Sequence, residues 1–85
     1  MDDKRNEDVI FKTILRCLKN IDKPDLHSFT IRVPGGLAYI EAEYGGGVFV
    51  DVNTGHCEHR FFNGTPMAAA NYLEMIGADP KTISS

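Results

Sequence analysis

Three short runs of alternating apolar and polar residues, separated by glycine-rich turns, constrain this chain more than any other feature. The runs centre on Ile31, Ile40 and Val50, and alternation with a period of two is typical of strands with one buried face. Pro34-Gly35-Gly36 and Gly45-Gly46-Gly47 separate them and are long enough only for tight turns. Because parallel neighbours need long crossover connections, this spacing predicts an antiparallel meander.

The segment before the meander has the period of a helix. Within 8–22, apolar residues such as Ile10 and Ile14 recur at helical spacing, which predicts an amphipathic helix. Pro24 lies just beyond this segment, and the residue before a proline is pushed out of the α region, so we expect the helix to end there. The charged residues 1–7 are expected to form a disordered tail.

A fourth strand and a second helix complete the predicted order. We expect the strand over 57–62, directly after the turn Asn53-Thr54-Gly55. Thr65 is a favourable N-cap ahead of a proline, and Gly77 suits the position after the end of a helix. Residues 78–85 are expected to form a loose C-terminal tail, since their proline cannot continue the helix.

These elements predict a single α+β domain over 8–77 with the order α-β-β-β-β-α. Its sheet is expected to be an antiparallel three- to four-stranded meander with both helices packed on one face. The expected core combines the apolar stripes of the helices with one face of the strands, and its residues are Ile10, Ile14, Leu18, Ile21, Phe29, Ile31, Val33, Ile40, Ala42, Val48, Val50, Val52, Leu73 and Ile76.

Length and charge narrow the classes of function. A chain of 85 residues builds one modest core and leaves no room for a deep cleft between two domains. Its 9 basic and 12 acidic residues give a net charge of −3, which argues against a free-standing nucleic-acid binder. Two cysteines, no signal-peptide pattern and no long apolar run predict a cytoplasmic protein with reduced thiols and no membrane segment.

The face of the sheet that points away from the helices is the favoured candidate for function. If the valines of the third strand face the helices, the alternate residues face away and mix aromatic rings with carboxylates, as protein-binding patches do. The candidate protein-binding residues are Tyr39, Glu41, Glu43, Phe49 and Asp51. This interpretation predicts a small non-enzymatic module (an inhibitor, adaptor or regulator of a larger protein) that uses this face or an edge strand and that can also form a homodimer.

The register of the fourth strand stays open at this point. Two alternating sets compete for the outward face, because a shift of one residue exchanges the two faces of a strand. The outward set is either Cys57, His59 and Phe61, or His56, Glu58, Arg60 and Phe62.

A basic stripe on the first helix supports an alternative function as a nucleic-acid-binding module. The stripe has spacings of 4, 3 and 4 residues, which put its members on one helix face, and it consists of Lys12, Arg16, Lys19 and Lys23. The order of a helix, an antiparallel meander and a C-terminal helix is similar to that of double-stranded-RNA-binding domains. That similarity implies RNA contacts through the first helix and through lysines at the start of the last one, but Thr65–Ala70 contains no lysine.

A second alternative is a small metal or thiol site in the sequence His56-Cys57-Glu58-His59. On a strand, Cys57 and His59 share one face and offer two ligands or a thiol–imidazole pair. A structural zinc site needs four ligands, usually in two short-spaced pairs, and the remaining candidates Cys17 and His27 stand alone. We therefore expect no metal, no cofactor and no catalytic residue.

Overall fold

The computed structural model describes residues 2–55 and 59–84 of the chain. It contains two helices and a five-stranded antiparallel sheet, which confirms the α+β class and adds a strand to the predicted order. In chain order the elements are α1 (Asp2–Lys19), β1 (Ser28–Val33), β2 (Gly36–Ala42), β3 (Val48–Asn53), β4 (His59–Gly64), α2 (Pro66–Met75) and β5 (Asp79–Ser84).

The first four strands form the predicted meander, and the sheet order is β4-β3-β2-β1-β5. The turn between β1 and β2 is tight enough for Val33 to pair with Gly36. A Cβ atom on Gly36 would overlap the backbone of Asn53 and Thr54, so only glycine fits this close approach. The fourth strand lies at 59–64, two residues later than the pattern predicts at its C-terminal end.

The C-terminal segment corrects the prediction of a loose tail over 78–85. Asp79–Ser84 forms β5, which runs antiparallel beside β1 at the edge of the sheet. The backbone N–H of Arg32 donates to the hydroxyl of Thr82 at 2.8 Å, so a side chain replaces a backbone acceptor there. Pro80 prevents a helix but is tolerated in an edge strand, where one side of the backbone needs no partner.

Helix α1 begins earlier and ends earlier than the segment 8–22 that the pattern predicts. Residues 2–7, assigned to a disordered tail by their charge, belong to this helix. Acidic residues near a helix N-terminus favour the helix, because they complement its dipole. At the other end, the amide of Asn20 donates to the carbonyl of Arg16 at 2.9 Å, and the chain continues through turns to Leu26.

Helix α2 confirms its predicted caps. The hydroxyl of Thr65 accepts a hydrogen bond from the N–H of Ala68 at 3.2 Å. Gly77 has a φ of 85° just after the helix, and the N–H of Ala78 donates to the carbonyl of Leu73 at 3.0 Å. This left-handed glycine and its hydrogen bonds satisfy carbonyl groups that the helix end leaves without partners.

One hydrophobic core lies between the helices and one face of the sheet. All the predicted core residues contribute, although Leu18, Ile21 and Ile76 are only partly buried. The two helices also contact each other. Five further residues are buried and were not in the predicted core. All are small, so they let neighbouring elements pack closely, but they add little to the hydrophobic pattern of the sequence. They are Cys17, Ala38, Ala69, Ala70 and Ala78.

Candidate binding surface

The face of the sheet opposite the helices, called here the outer face, carries large apolar side chains in contact with solvent. Leu37 and Tyr39 of β2 are 50% and 39% exposed, and Phe61 of β4 is 66% exposed. Pairing between adjacent strands places Tyr39 directly opposite Asp51 of β3, which in turn lies opposite Phe61. These residues therefore form one continuous row across three strands.

Two stacked aromatic pairs on opposite faces settle the orientation of the described part of β4. The rings of Phe49 and Phe61 stack on the outer face with centroids 5.8 Å apart. The ring of Phe62 stacks on Tyr72 of α2 with centroids 5.0 Å apart, and it packs against the core. Phe61 thus belongs to the outward set and Phe62 to the inward set.

The predicted patch is only partly assembled. Tyr39, Phe49 and Asp51 lie close together on the outer face through their strand pairing and the aromatic stack. Glu43 lies beyond the end of β2, in the turn where its N–H donates to the carbonyl of Gly47 at 2.9 Å. Tyr39, Phe49 and Asp51 therefore come together on the outer face as predicted, whereas Glu43 lies apart from them in a turn.

Two exposed residues of this face, Leu37 and Phe61, are missing from the predicted patch. Alternation along β2 identifies Leu37, because it lies two residues before Tyr39 and shares its face. Phe61 is identified only when the register of β4 against β3 is known.

Glu41, the remaining member of the predicted patch, is held by an interaction with the loop before β1. The Nε2 atom of His27 lies 2.9 Å from the Oε2 atom of Glu41, and its Nδ1 atom lies 3.2 Å from the carbonyl oxygen of Lys23. Both partners are acceptors, and only the protonated imidazole can donate from both nitrogens. The hydrogen bond to Glu41, followed by that to Lys23, raises the pKa of His27 above its ordinary value.

The basic stripe divides between two elements. Lys12, Arg16 and Lys19 lie on α1 and are exposed. Lys23 follows the end of the helix, in turns where its N–H donates to the carbonyl of Asn20 at 2.8 Å. Three of the four cations thus share a helix face, as predicted, and the fourth does not.

The candidate metal or thiol site falls largely outside the described residues. His56, Cys57 and Glu58 are not among them, and for His59 only the backbone position opposite Asn53 is described. Within residues 2–55 and 59–84, no group of three or more histidine, cysteine or acidic residues could hold a metal ion. Cys17 is buried, and this burial raises the pKa of its thiol against the opposing effect of Arg16.

A small cavity lies away from the outer face, between α1 and β1. Its volume is about 140 Å³, and its lining includes Cys17, Phe29 and Ile83. Arg16 and Asn20 also contribute to its lining. This volume is about that of an apolar cavity that binds a molecule of one small ring.

Comparisons of the chain with protein-family profiles, with curated proteins and with solved structures find no match in any of the three. Among the described residues, neither helix is long and apolar enough to cross a membrane. A function for this chain is therefore inferred from its own residues and geometry.

Proposed function

We propose that this chain is a small non-enzymatic protein-binding module that acts through the outer face of its sheet, as an inhibitor, adaptor or regulator of a larger protein. The observation that supports the proposal is the exposure of Leu37, Tyr39 and Phe61 on a face opposite both helices. The loop that carries His27 reaches this face at Glu41.

The chemistry of the outer face suits a protein partner. Aromatic side chains supply a large contact area with little loss of conformational entropy, and a tyrosine adds a polar group at its tip. Polar and charged residues flank this group on neighbouring strands, with Arg32 opposite Leu37 and Asp51 opposite Tyr39. An apolar centre with a polar surround is the usual composition of a protein–protein interface.

The test is affinity capture with the intact chain and with a double variant, Tyr39→Ala/Phe61→Ala. Both side chains are exposed, so the variant is expected to fold, and circular dichroism checks this. We expect it to lose the captured protein. A matched control, Lys12→Ala/Lys19→Ala, changes two exposed residues of α1 and is expected to retain that protein.

The captured protein is then purified and titrated into the isotope-labelled chain. We expect amide shifts to concentrate in β2, β3 and β4. Capture that is unchanged by the double variant, or shifts confined to α1, would contradict the proposal. A complex that the α1 control abolishes, and that salt dissociates, would instead favour the nucleic-acid alternative.

A further inference from the structure

The cavity between α1 and β1 combines an apolar floor with a polar rim. Cys17 and Phe29 line it and are buried, and Ile83 of β5 lines it and packs against the core. Arg16 and Leu26 line it as well, and both are exposed, so the cavity reaches the surface beside them. A partly enclosed space with an apolar lining and a few polar groups is the usual form of a small-molecule site.

Contacts within the chain already hold the walls of this cavity. Leu26 lies next to His27, whose Nε2 atom is 2.9 Å from the Oε2 atom of Glu41. Asn20, which also lines the cavity, donates from its side-chain amide to the carbonyl of Arg16 at 2.9 Å. A ligand therefore enters a site that is largely formed in its absence, and little affinity is lost to ordering the walls.

The charge at the cavity is positive. Among the described residues that line it, only Arg16 carries a full charge, and none is acidic. Within residues 2–55 and 59–84 the guanidinium of Arg16 makes no ion pair. Its charge acts on the thiol of Cys17, where it lowers the pKa against the larger effect of burial. A guanidinium stays charged at physiological pH and binds a carboxylate through two parallel hydrogen bonds.

The C-terminal end of α1 is the opposing influence on an anion at this place. The helix ends at Lys19, and the last carbonyls of a helix carry about half a negative charge. Two of these carbonyls are already bonded, since that of Arg16 accepts from the side chain of Asn20 and that of Cys17 from its backbone N–H at 3.0 Å. Arg16 and Lys19 bring two full positive charges to the same turn, so the net field favours an anion.

We propose that this cavity binds a small monocarboxylate whose apolar part is about the size of one ring. The volume of about 140 Å³ suits such a ligand. Its apolar part fills the floor beside Phe29 and Ile83, and its carboxylate pairs with the guanidinium of Arg16 at the rim. The cavity lies away from the outer face, so this inference does not rest on the proposed function.

Titration of the isotope-labelled chain with benzoate, followed by NMR, tests the site. We expect saturable shifts of the amides of Cys17, Phe29 and Ile83, with a Kd on the order of 1 mM for so small a ligand. Two analogues of similar shape measure the effect of charge. Benzyl alcohol should bind about tenfold more weakly, because the hydrogen bonds to a charged acceptor are lost, and the cation benzylamine should bind more weakly still.

Two variants and one control locate the ligand. Arg16→Gln should weaken the binding of benzoate about tenfold and leave that of benzyl alcohol unchanged. Lys12→Gln removes the same charge from an exposed residue of α1 that is not among the described residues lining the cavity, and it should bind benzoate as the original chain does. Ile83→Phe fills part of the cavity and should abolish the binding of both ligands.

Circular dichroism checks that each variant is folded. Because Arg16 is exposed, Arg16→Gln is expected to fold, and its comparison with Lys12→Gln decides the question even if Ile83→Phe does not fold. The inference is overturned if benzoate causes no saturable shift at the lining residues, or if benzoate and benzylamine bind equally. Unchanged binding by Arg16→Gln would also overturn it. Equal losses in Arg16→Gln and Lys12→Gln would do so too, since they indicate a general attraction of anions to α1.

The captured protein provides a further test of the occupant. If it shifts the amides of Cys17, Phe29 and Ile83 whereas benzoate does not, the cavity receives a side chain of that protein, and the small-ligand site is wrong. None of these results alters the expectation for Tyr39→Ala/Phe61→Ala, so failure of the cavity site and failure of the proposed function are distinguishable.

Discussion

The two faces of the same sheet differ in how far their side chains are buried. On the inner face, Ile40 and Val50 are 1% and 0% exposed beneath the helices, whereas Tyr39, the neighbour of Ile40, is 39% exposed on the outer face. Burial of the inner face supplies most of the free energy that holds the fold together. The outer face is more exposed and contributes less to folding, and it is the surface that we propose binds a partner.

The largest expected difference between the faces is in stability. Ile40→Ala removes a fully buried side chain and should lower the free energy of unfolding by about 2–5 kcal/mol. That loss is a large part of the roughly 5–15 kcal/mol typical of a domain. Tyr39→Ala is expected to cost about 1 kcal/mol or less, because its side chain is already partly solvated. Urea unfolding measures both free energies. Equal losses for the two variants would mean that the outer face contributes as much to stability as the inner face.

Adjacent phenylalanines on β4 provide a sharper version of the comparison. Phe62→Ala removes a ring that stacks on Tyr72 and packs against the core, and it should cost about 1–3 kcal/mol. Phe61→Ala removes the outer stack on Phe49 from a side chain that is 66% exposed, and it should cost about 0.5–1 kcal/mol. Thermal unfolding measures these losses. The ranking should reverse for binding of the captured protein, and the same ranking in both assays would contradict the separation of roles.

A substitution at the N-cap of α2 should destabilise the helix that packs on the inner face and should leave the residues of the outer face unchanged. Thr65→Ala removes the hydroxyl that accepts from the N–H of Ala68 and should cost about 1 kcal/mol. Thr65→Ser keeps the hydroxyl and is the control. Chemical denaturation measures the loss, and binding at the outer face should remain unchanged in both variants. A loss of binding by Thr65→Ala alone would show that the two faces are coupled.

The smallest expected effect is a pH dependence at the margin of the outer face. Since the pKa of His27 is raised in the folded chain, protonation of this residue stabilises the fold. The contribution should be complete below the unfolded pKa of about 6.5 and should decline as the pH rises through the higher folded pKa. Unfolding curves across this range test the sign. Glu41→Gln should flatten the dependence, and a stability that rises with pH through this range because of His27 would contradict the assignment.

Local patterns predict the elements whose signals lie within a few residues. Alternation around Ile31, Ile40 and Val50 predicts the meander and its buried face, since short turns allow only antiparallel neighbours. The hydroxyl of Thr65 and the glycine at position 77 predict both ends of α2, because capping is a local interaction. The candidate binding surface is predicted less completely: Glu43 falls in a turn, and Phe61 depends on pairing with another strand.

Tertiary contacts decide the remaining features. Asp79–Ser84 becomes a strand only because β1 offers an edge to which its backbone can bond, and no periodic pattern within these six residues indicates that. Likewise, alternation shows that Phe61 and Phe62 point to opposite sides, but only the helices decide which side is covered. The amino-acid order therefore specifies relative orientation within each element. Packing of the helices against one face converts that relative orientation into a buried core and an exposed aromatic surface.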